Sequence, residues 1–444
     1  MTRFISIICM TVFVGLATAT IAYAQSYDIQ IISINGPLED SSPRMNDNGF
    51  VTWEGVDELD SEIYYFNGTA TVQLTDNEVN DYLPEINNAG SVTWTARIDG
   101  SSEIFLYDSE GIRQVSHDAL GGVSPKINDD GLMVWHGGPN QIPDILFFDG
   151  IEIHQITDYP NLNHCCPRIN NNGHFVWEGQ AGIYSEILLY DGNEINRLAF
   201  SFSGNVSPKI NDSGHVVWLH YSGGDSDIYL YDGVRNRRLT DESTYDTYPS
   251  INNSGYVVWA GDDGDDYEIY LYDGSSTVQI TNNSYDDKYP AINDHAHLVW
   301  WGEVDADSEI FLYNGEDIHQ LTDNPYNDRA PRINNSGSIV WRGYVGPEES
   351  EIFLGVPDCN DEDADGYPTE GGTCGPMDCN DADPLVHPAA PDPCDGADQN
   401  CDGIDGMPEG TAFSNCEDLV DNDCDGLADT DPECSDSCFI GRVL

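Results

Sequence analysis

An all-β chain folded as a closed eight-bladed β-propeller, followed by a small disulfide- and calcium-stapled tail, is the fold class this sequence predicts. Three observations carry it. A phrase Pro-x-Ile-Asn-x-x-Gly, running into an apolar stretch that ends in Trp, occurs eight times, with Met45 for Ile in the first copy and Ala296 for Gly in the seventh. Its prolines are Pro43, Pro84, Pro125, Pro167, Pro208, Pro249, Pro290 and Pro331, and its tryptophans Trp53, Trp94, Trp135, Trp177, Trp218, Trp259, Trp300 and Trp341. Both series step by 41 residues, with one step of 42, so a single supersecondary unit is repeated in space. No stretch shows helical periodicity, and the two ends of the array complement one another.

Each unit reads as four short strands, taken here from the copy at Tyr248. Tyr248–Asn252 is the first. Asn252-Asn253-Ser254-Gly255 is a tight turn, because Asn and Gly tolerate the positive φ that hairpins need. Gly255–Trp259 is the second strand, Glu268–Tyr272 the third, ended by Asp273-Gly274, and Val278–Thr281 the fourth. The second and third are nearly continuous apolar runs, as expected of sheets covered on both faces.

The eighth unit has a third strand, Glu351–Leu354, and no fourth. The missing strand is found before the first unit, as Asp28–Ile32. The N-terminal strand is therefore expected to complete the last blade and to remove the exposed sheet edges. An open β-solenoid is the alternative, although solenoids need distinct capping units.

Residues 1–24 read as a secretory signal peptide: Arg3, an apolar run from Phe4 to Ile21, and the small-residue cleavage signal Ala22-Tyr23-Ala24. The expected organisation is signal peptide 1–24, propeller 25–356 and an Asp/Cys-rich module 357–444. The product is expected to be exported, to the periplasm, the cell surface or the medium, where disulfides persist. No later segment is long enough to span a bilayer.

Composition shifts at Val356. The tail holds nine of the twelve cysteines, has no Lys, and has too few apolar residues for a core. Such a segment needs staples. Nine is odd, and the pairing is not readable from spacing. Three phrases match the start of a calcium loop: Asp361-x-Asp363-x-Asp365-Gly366, Asp398-x-Asn400-x-Asp402-Gly403 and Asp421-x-Asp423-x-Asp425-Gly426. Alternate oxygens converge on one ion and the Gly permits the turn. Hard carboxylates favour calcium, and no C-x-x-C spacing offers zinc a site. A bidentate Glu at loop position twelve exists only as Glu409; Gly372 and Pro432 hold that place in the other two. The loops are thus not ordinary EF-hands, and an acidic solvated linker is the bland alternative.

Two resemblances follow from these residues. The repeat, with Glu-Ile-Tyr-Leu-Tyr-Asp-Gly after its Trp and a Leu-Thr or Ile-Thr ending, resembles the TolB-like propeller repeat, with Ile-Asn-x-x-Gly where that family has Ser-Pro-Asp-Gly. The tail, through Asp361–Tyr367, Asp378–Asp381 and Cys394–Gly403, resembles the MopE-type metal-binding motif. That family is named for a copper-binding member and implies exported surface modules, not a catalytic activity.

The net charge of −63, from 79 acidic and 16 basic residues, repels nucleic acid and anionic membranes and is screened by salt or calcium. No G-x-S-x-G elbow or H-E-x-x-H helix is present. Cys165-Cys166 is a vicinal pair at the fourth unit, read as bracing, with a redox or ligand role as the alternative.

The residues after the prolines are Arg44, Glu85, Lys126, Arg168, Lys209, Ser250, Ala291 and Arg332. Five are basic, of only 14 basic residues between Gln25 and Val356. Three residues before each proline stand Asp40, Asp81, Gly122, His164, Asn205, Asp246, Asp287 and Asp328. In a closed propeller both series form rings. They are expected either to neutralise each other between blades or to make a charged channel mouth that binds a small ion or partner. The functional expectation is a monomeric, non-catalytic binding or scaffold protein for a protein or cell-surface ligand, with calcium in its tail. An exported glycan hydrolase or lyase working in the channel is the alternative.

Overall fold

The computed structural model describes residues 27–357 apart from 34–38, 57–59, 118–119, 139–141, 160, 241–244 and 347–348, together with 380, 383–387, 390 and 399 of the tail. Among the described residues, thirty-two strands assemble into eight four-stranded antiparallel sheets. In the copy used above they are Asp246–Ile251, Val257–Asp262, Tyr267–Tyr272 and Thr277–Gln279. The first strands of successive sheets touch one another round the ring, so they line the axis. Among the described residues no helix is long and apolar enough to cross a membrane.

The ring closes as the sequence predicts. Tyr27–Ile31 pairs antiparallel with Ser350–Pro357, placing Gln30 opposite Leu354. The Thr that follows the fourth strand in five of the units, with Ser116 in the second, explains what this strand must supply. Thr281 Oγ1 accepts the Ile269 amide at 2.8 Å, and Thr75, Thr157 and Thr322 do the same for Ile63, Ile145 and Ile310. In the last blade Ser33 takes this part, its hydroxyl accepting the Ile352 amide at 3.0 Å.

The core lies between blades. Val217, Leu219, Ile228 and Leu230 of the fifth unit pack on Val257, Trp259 and Tyr272 of the sixth. All eight repeat tryptophans are at most 2% exposed. Six stack on the aromatic ring opposite on the third strand, as Trp259 on Tyr270 (5.8 Å) and Trp53 on Tyr64 (5.7 Å). Burying about 150–250 Å² of one such ring at about 25 cal/mol per Å² is worth roughly 4–6 kcal/mol at most. That exceeds the roughly 1 kcal/mol of the ring's own hydrogen bond, so packing sets where the Trp sits.

The turn asparagine closes the ring a second time. Asn252 Oδ1 accepts the Tyr256 amide at 2.8 Å inside its own turn, while Nδ2 donates to the Asn293 carbonyl of the next blade at 2.9 Å. The second contact recurs in every unit: Asn46 to Asn87, Asn87 to Asn128, and so on to Asn334, which donates back to Asn46. Gly255, at φ 84°, completes the turn where a side chain would be strained.

Candidate functional site

The channel is built by a local distortion repeated eight times. The residue before each proline, Ser42, Leu83, Ser124, Cys166, Ser207, Tyr248, Tyr289 and Ala330, has φ between 54° and 62°. None is glycine, and pre-proline residues ordinarily favour extended backbone. Each sits in a β-bulge, where the register with the second strand slips, as between Thr247 and Ser250. A bulge re-aims the side chains that follow it. The alternation expected of a plain strand is broken at this step.

The five cations converge as the repeat implied. Arg44 Nε donates to Glu85 Oε1 at 3.1 Å, and Lys126 Nζ bonds the same oxygen. Arg44, Arg168 and Arg332 each donate to the carbonyl of the preceding proline at 2.8–2.9 Å. Lys209 has no hydrogen-bond or ion-pair partner among the described residues. Its ammonium is held well below the usual lysine range, first by Arg168 and then by burial, Arg332, Lys126 and Arg44. Burial brings Lys126 down to about 8, helped by Arg168 and Arg44 against the pull of Glu85. Burial opposes ionisation of Glu85, but Lys126 and Arg44 outweigh it and hold that carboxyl low. Of these five basic side chains, only Arg44 and Lys126 form an ion pair among the described residues, both with Glu85.

The aspartate series goes elsewhere. Asp40, Asp81, Asp246, Asp287 and Asp328 are 0–2% exposed and accept the indole N–H of their own blade's Trp, at 2.8–3.1 Å. The expectation that they line the channel mouth is corrected on this point: they are packed inside the blades as caps for Trp53, Trp94, Trp259, Trp300 and Trp341. Burial pushes Asp246 and Asp287 up to about 7 and Asp328 to about 6. His164 does the same work in the fourth unit, its Nδ1 accepting from Trp177 at 2.9 Å, and burial lowers it to about 4. In the third unit a Cβ on Gly122 would stand 2.6 Å from Trp135, and Trp135 donates instead to the Leu120 carbonyl.

One end of the channel carries a ring that the sequence reading missed. The residue after each turn asparagine alternates acid and amide: Asp47, Asn88, Asp129, Asn171, Asp212, Asn253, Asp294, Asn335. Each backbone N–H donates to the side-chain oxygen of the next member at 2.7–3.1 Å, and Asn335 closes on Asp47. The alternation keeps like charges from lying side by side; Asn88, for example, donates to both Asp47 and Asp129. The repeat was legible, but the two-unit alternation emerges only when the residues are read round the ring.

Cys165 and Cys166 lie on the axial strand Asn163–Ile169 as two thiols, 2.8 Å apart, with Glu178 Oε2 3.8 Å from Cys165. Cys166 is drawn toward the thiolate by Cys165 first, and by Arg168 of the same strand and Lys126 of the adjacent blade. The three side chains could hold a metal ion. Glu178 is otherwise occupied with the Ser207 amide of the next blade, at 2.6 Å.

A cleft also missed by sequence reading lies on the sixth, seventh and eighth units. Thr247, Tyr248, Tyr267, Lys288, Tyr289, Trp301, Glu303 and Arg329 enclose about 420 Å³. Trp301 is the ninth tryptophan, outside the repeat, and it was the available signal.

The tail residues Asp361, Asp363, Asp365, Asp398, Asn400, Asp402, Asp421, Asp423 and Asp425 lie outside the described residues, as do the tail cysteines. A family model described as "Putative metal-binding motif", of the MopE copper-binding type, matches residues 358–374, 378–405 and 411–430. The chain carries a metal-binding motif of that type, and the ion is not specified by it. No curated protein matches the chain. Solved structures similar to the propeller include the β-propeller domain of the Trilobed protease from Pyrococcus furiosus, at 16% identity and TM-score 0.47, over 65% of this chain and 99% of that one. A puromycin-hydrolyzing peptidase from Mycobacterium tuberculosis gives 14% and 0.48, over 63% and 51%. The Pyrococcus horikoshii acylaminoacyl peptidase gives 16% and 0.45, over 69% and 57%. The chain spans about half the length of these two peptidases, and the likeness is one of propeller architecture, with nothing specific to the TolB-like repeat.

Proposed function

We propose that this chain is an exported, non-catalytic binding protein whose propeller channel holds an anionic group and whose tail is ordered by calcium. One observation carries the channel reading: Lys209 faces four other cations with no carboxylate of its own. Concentrated like charge in a walled, low-dielectric space is costly and is relieved by an anion that reaches several of the cations at once. A chain with so few basic residues has no need to gather five of them for solubility. Export is supported by the apolar leader with its Ala22-Tyr23-Ala24 signal, and calcium by the hard oxygen ligands of the three loops. Glu178, the carboxylate that acts on Arg168 besides Glu85, is spent on architecture: it accepts the Ser207 amide across a blade boundary, as Glu54 accepts that of Leu83. This favours a scaffold over a hydrolase or lyase.

The test is calorimetric titration of the full chain with propionate and malonate at low ionic strength, repeated on Lys209→Met. Saturable binding that the substitution weakens at least tenfold supports the reading. Heats that only track ionic strength, equal in both proteins, overturn it.

A further inference from the structure

The cation ring is not uniform round the axis. Reading the post-proline positions by unit, charged side chains occupy the first five and the eighth, whereas the sixth and seventh hold Ser250 and Ala291. Lys209 and Arg332 therefore flank a sector of two short side chains. Two residues earlier on those same two strands stand Tyr248 and Tyr289, in the left-handed backbone at φ 54° and 57°. Their rings stack at 3.7 Å across the blade boundary, and Trp301 stacks behind Tyr289 at 5.7 Å. The turn does not demand tyrosine: Ser42, Ser124, Ser207 and Ala330 fill the equivalent place with small side chains. Tyr248 and Tyr289 are nevertheless 36% and 43% exposed, an expensive arrangement for two aromatic rings that no neighbouring blade requires.

We infer that this sector binds one uronate residue of an acidic saccharide, a reading that rests on the channel being an anion site. The carboxylate lies in the gap over Ser250 and Ala291, between Lys209 and Arg332. The apolar face of the pyranose lies against the tyrosines at the mouth. Its hydroxyls meet the polar groups of the same 420 Å³ cleft: Glu303 as acceptor, Lys288 and the tyrosine hydroxyls as donors. A cleft of this size takes a ligand of one or two rings with a few placed polar groups. Glu303 argues against a polyphosphate, since its carboxylate would face the phosphate charge, whereas sugar hydroxyls need an acceptor there. Lys288 is already paired with Asp286 at 2.5 Å, and Arg329 lies over Trp301 at 5.2 Å while donating to Ser308, so the cleft itself adds little free positive charge. The charge selection belongs to the ring and the ring-face selection to the tyrosines.

The experiment titrates the full chain with digalacturonate, glucuronate, cellobiose, propionate and AMP, for the natural sequence and for Tyr248→Ser, Tyr289→Ser and Lys209→Met. Serine is the residue found at this place in other blades, and the thermal transition of each variant checks its fold. The uronates are expected to bind at least tenfold tighter than either cellobiose or propionate. The tyrosine variants should bring them down to the level of propionate, and Lys209→Met should weaken uronates and propionate alike. Uronates no tighter than propionate, AMP tighter than uronates, or tyrosine variants that bind like the natural protein overturn the saccharide while leaving a Lys209-dependent anion site. Failure of every anion to bind overturns the anion site as well.

Discussion

Asn334 Nδ2 donates to the backbone carbonyl of Asn46 at 3.1 Å, joining two turns that stand 288 residues apart in the chain. The same side chain accepts the Ser338 amide through Oδ1 at 2.9 Å. It is one link in a circle of eight identical contacts, and it is the link at which the chain meets itself.

Asn334→Ala removes both contacts and leaves the buried Ser338 amide without its acceptor, while the Asn46 carbonyl keeps the Gly49 N–H. An orphaned buried polar group costs about 1–3 kcal/mol. The urea midpoint of the propeller should fall by a corresponding amount with the slope unchanged. An unaltered midpoint would show that the asparagine circle is ornamental to closure.

Deleting Tyr27–Ser33 leaves Ser350–Pro357 as an open edge and the Ile352 amide without the Ser33 hydroxyl. An unpaired strand edge templates pairing with another chain. The truncated protein should self-associate, and light scattering after size exclusion should report dimers or larger species. A monomer with the original thermal transition would contradict closure by this strand.

The aspartate caps make stability depend on pH with a definite sign. Asp246 and Asp287 titrate near 7 and Asp328 near 6 in the fold, against about 3.9 when unfolded. Between about pH 4 and 7 the folded chain therefore binds more protons than the unfolded one, so stability falls as pH rises through that window. Urea midpoints at pH 4.5, 6 and 7.5 should decline in that order. Asp246→Asn keeps an acceptor for Trp259 and removes one titrating group, so its decline should be shallower. A midpoint that climbs with pH would refute the assignment.

Calcium is expected to order the tail and to leave the propeller alone. The propeller has its own core and a sealed ring, whereas the tail loops gather acids that repel one another until an ion fills them. Affinity should be roughly 0.1–1 mM, as for extracellular modules. Chelation should expose the stretch after Val356 to protease and leave the main melting transition in place. Asp423→Ala should weaken the third loop and spare the first. A single transition lost on chelation would place the ions among the blades.

Some of this was legible in the sequence because its causes are local. The 41-residue period gave the blade number. Asn252-Asn253-Ser254-Gly255 announced its turn, and the unpaired strand before the first unit announced the closure, because turn chemistry and apolar runs act over a few residues. The five basic post-proline residues could be counted, and a closed ring of equal units had to bring them together.

Tertiary structure decided where the side chains point. Two series four residues apart on the same strand, Asp246 and Ser250 among them, part company at a bulge centred on Tyr248 in the left-handed region. One turns into the blade to cap Trp259 and the other turns to the axis. Plain strand alternation does not contain that bulge, because it arises from pairing with the second strand and is held there by the neighbouring blades. For the same reason the alternating Asp47-to-Asn335 circle, the crowding of Lys209 by four cations and the stack of Tyr248 on Tyr289 join residues at least 41 positions apart. Their contact energies exist only once the ring is closed.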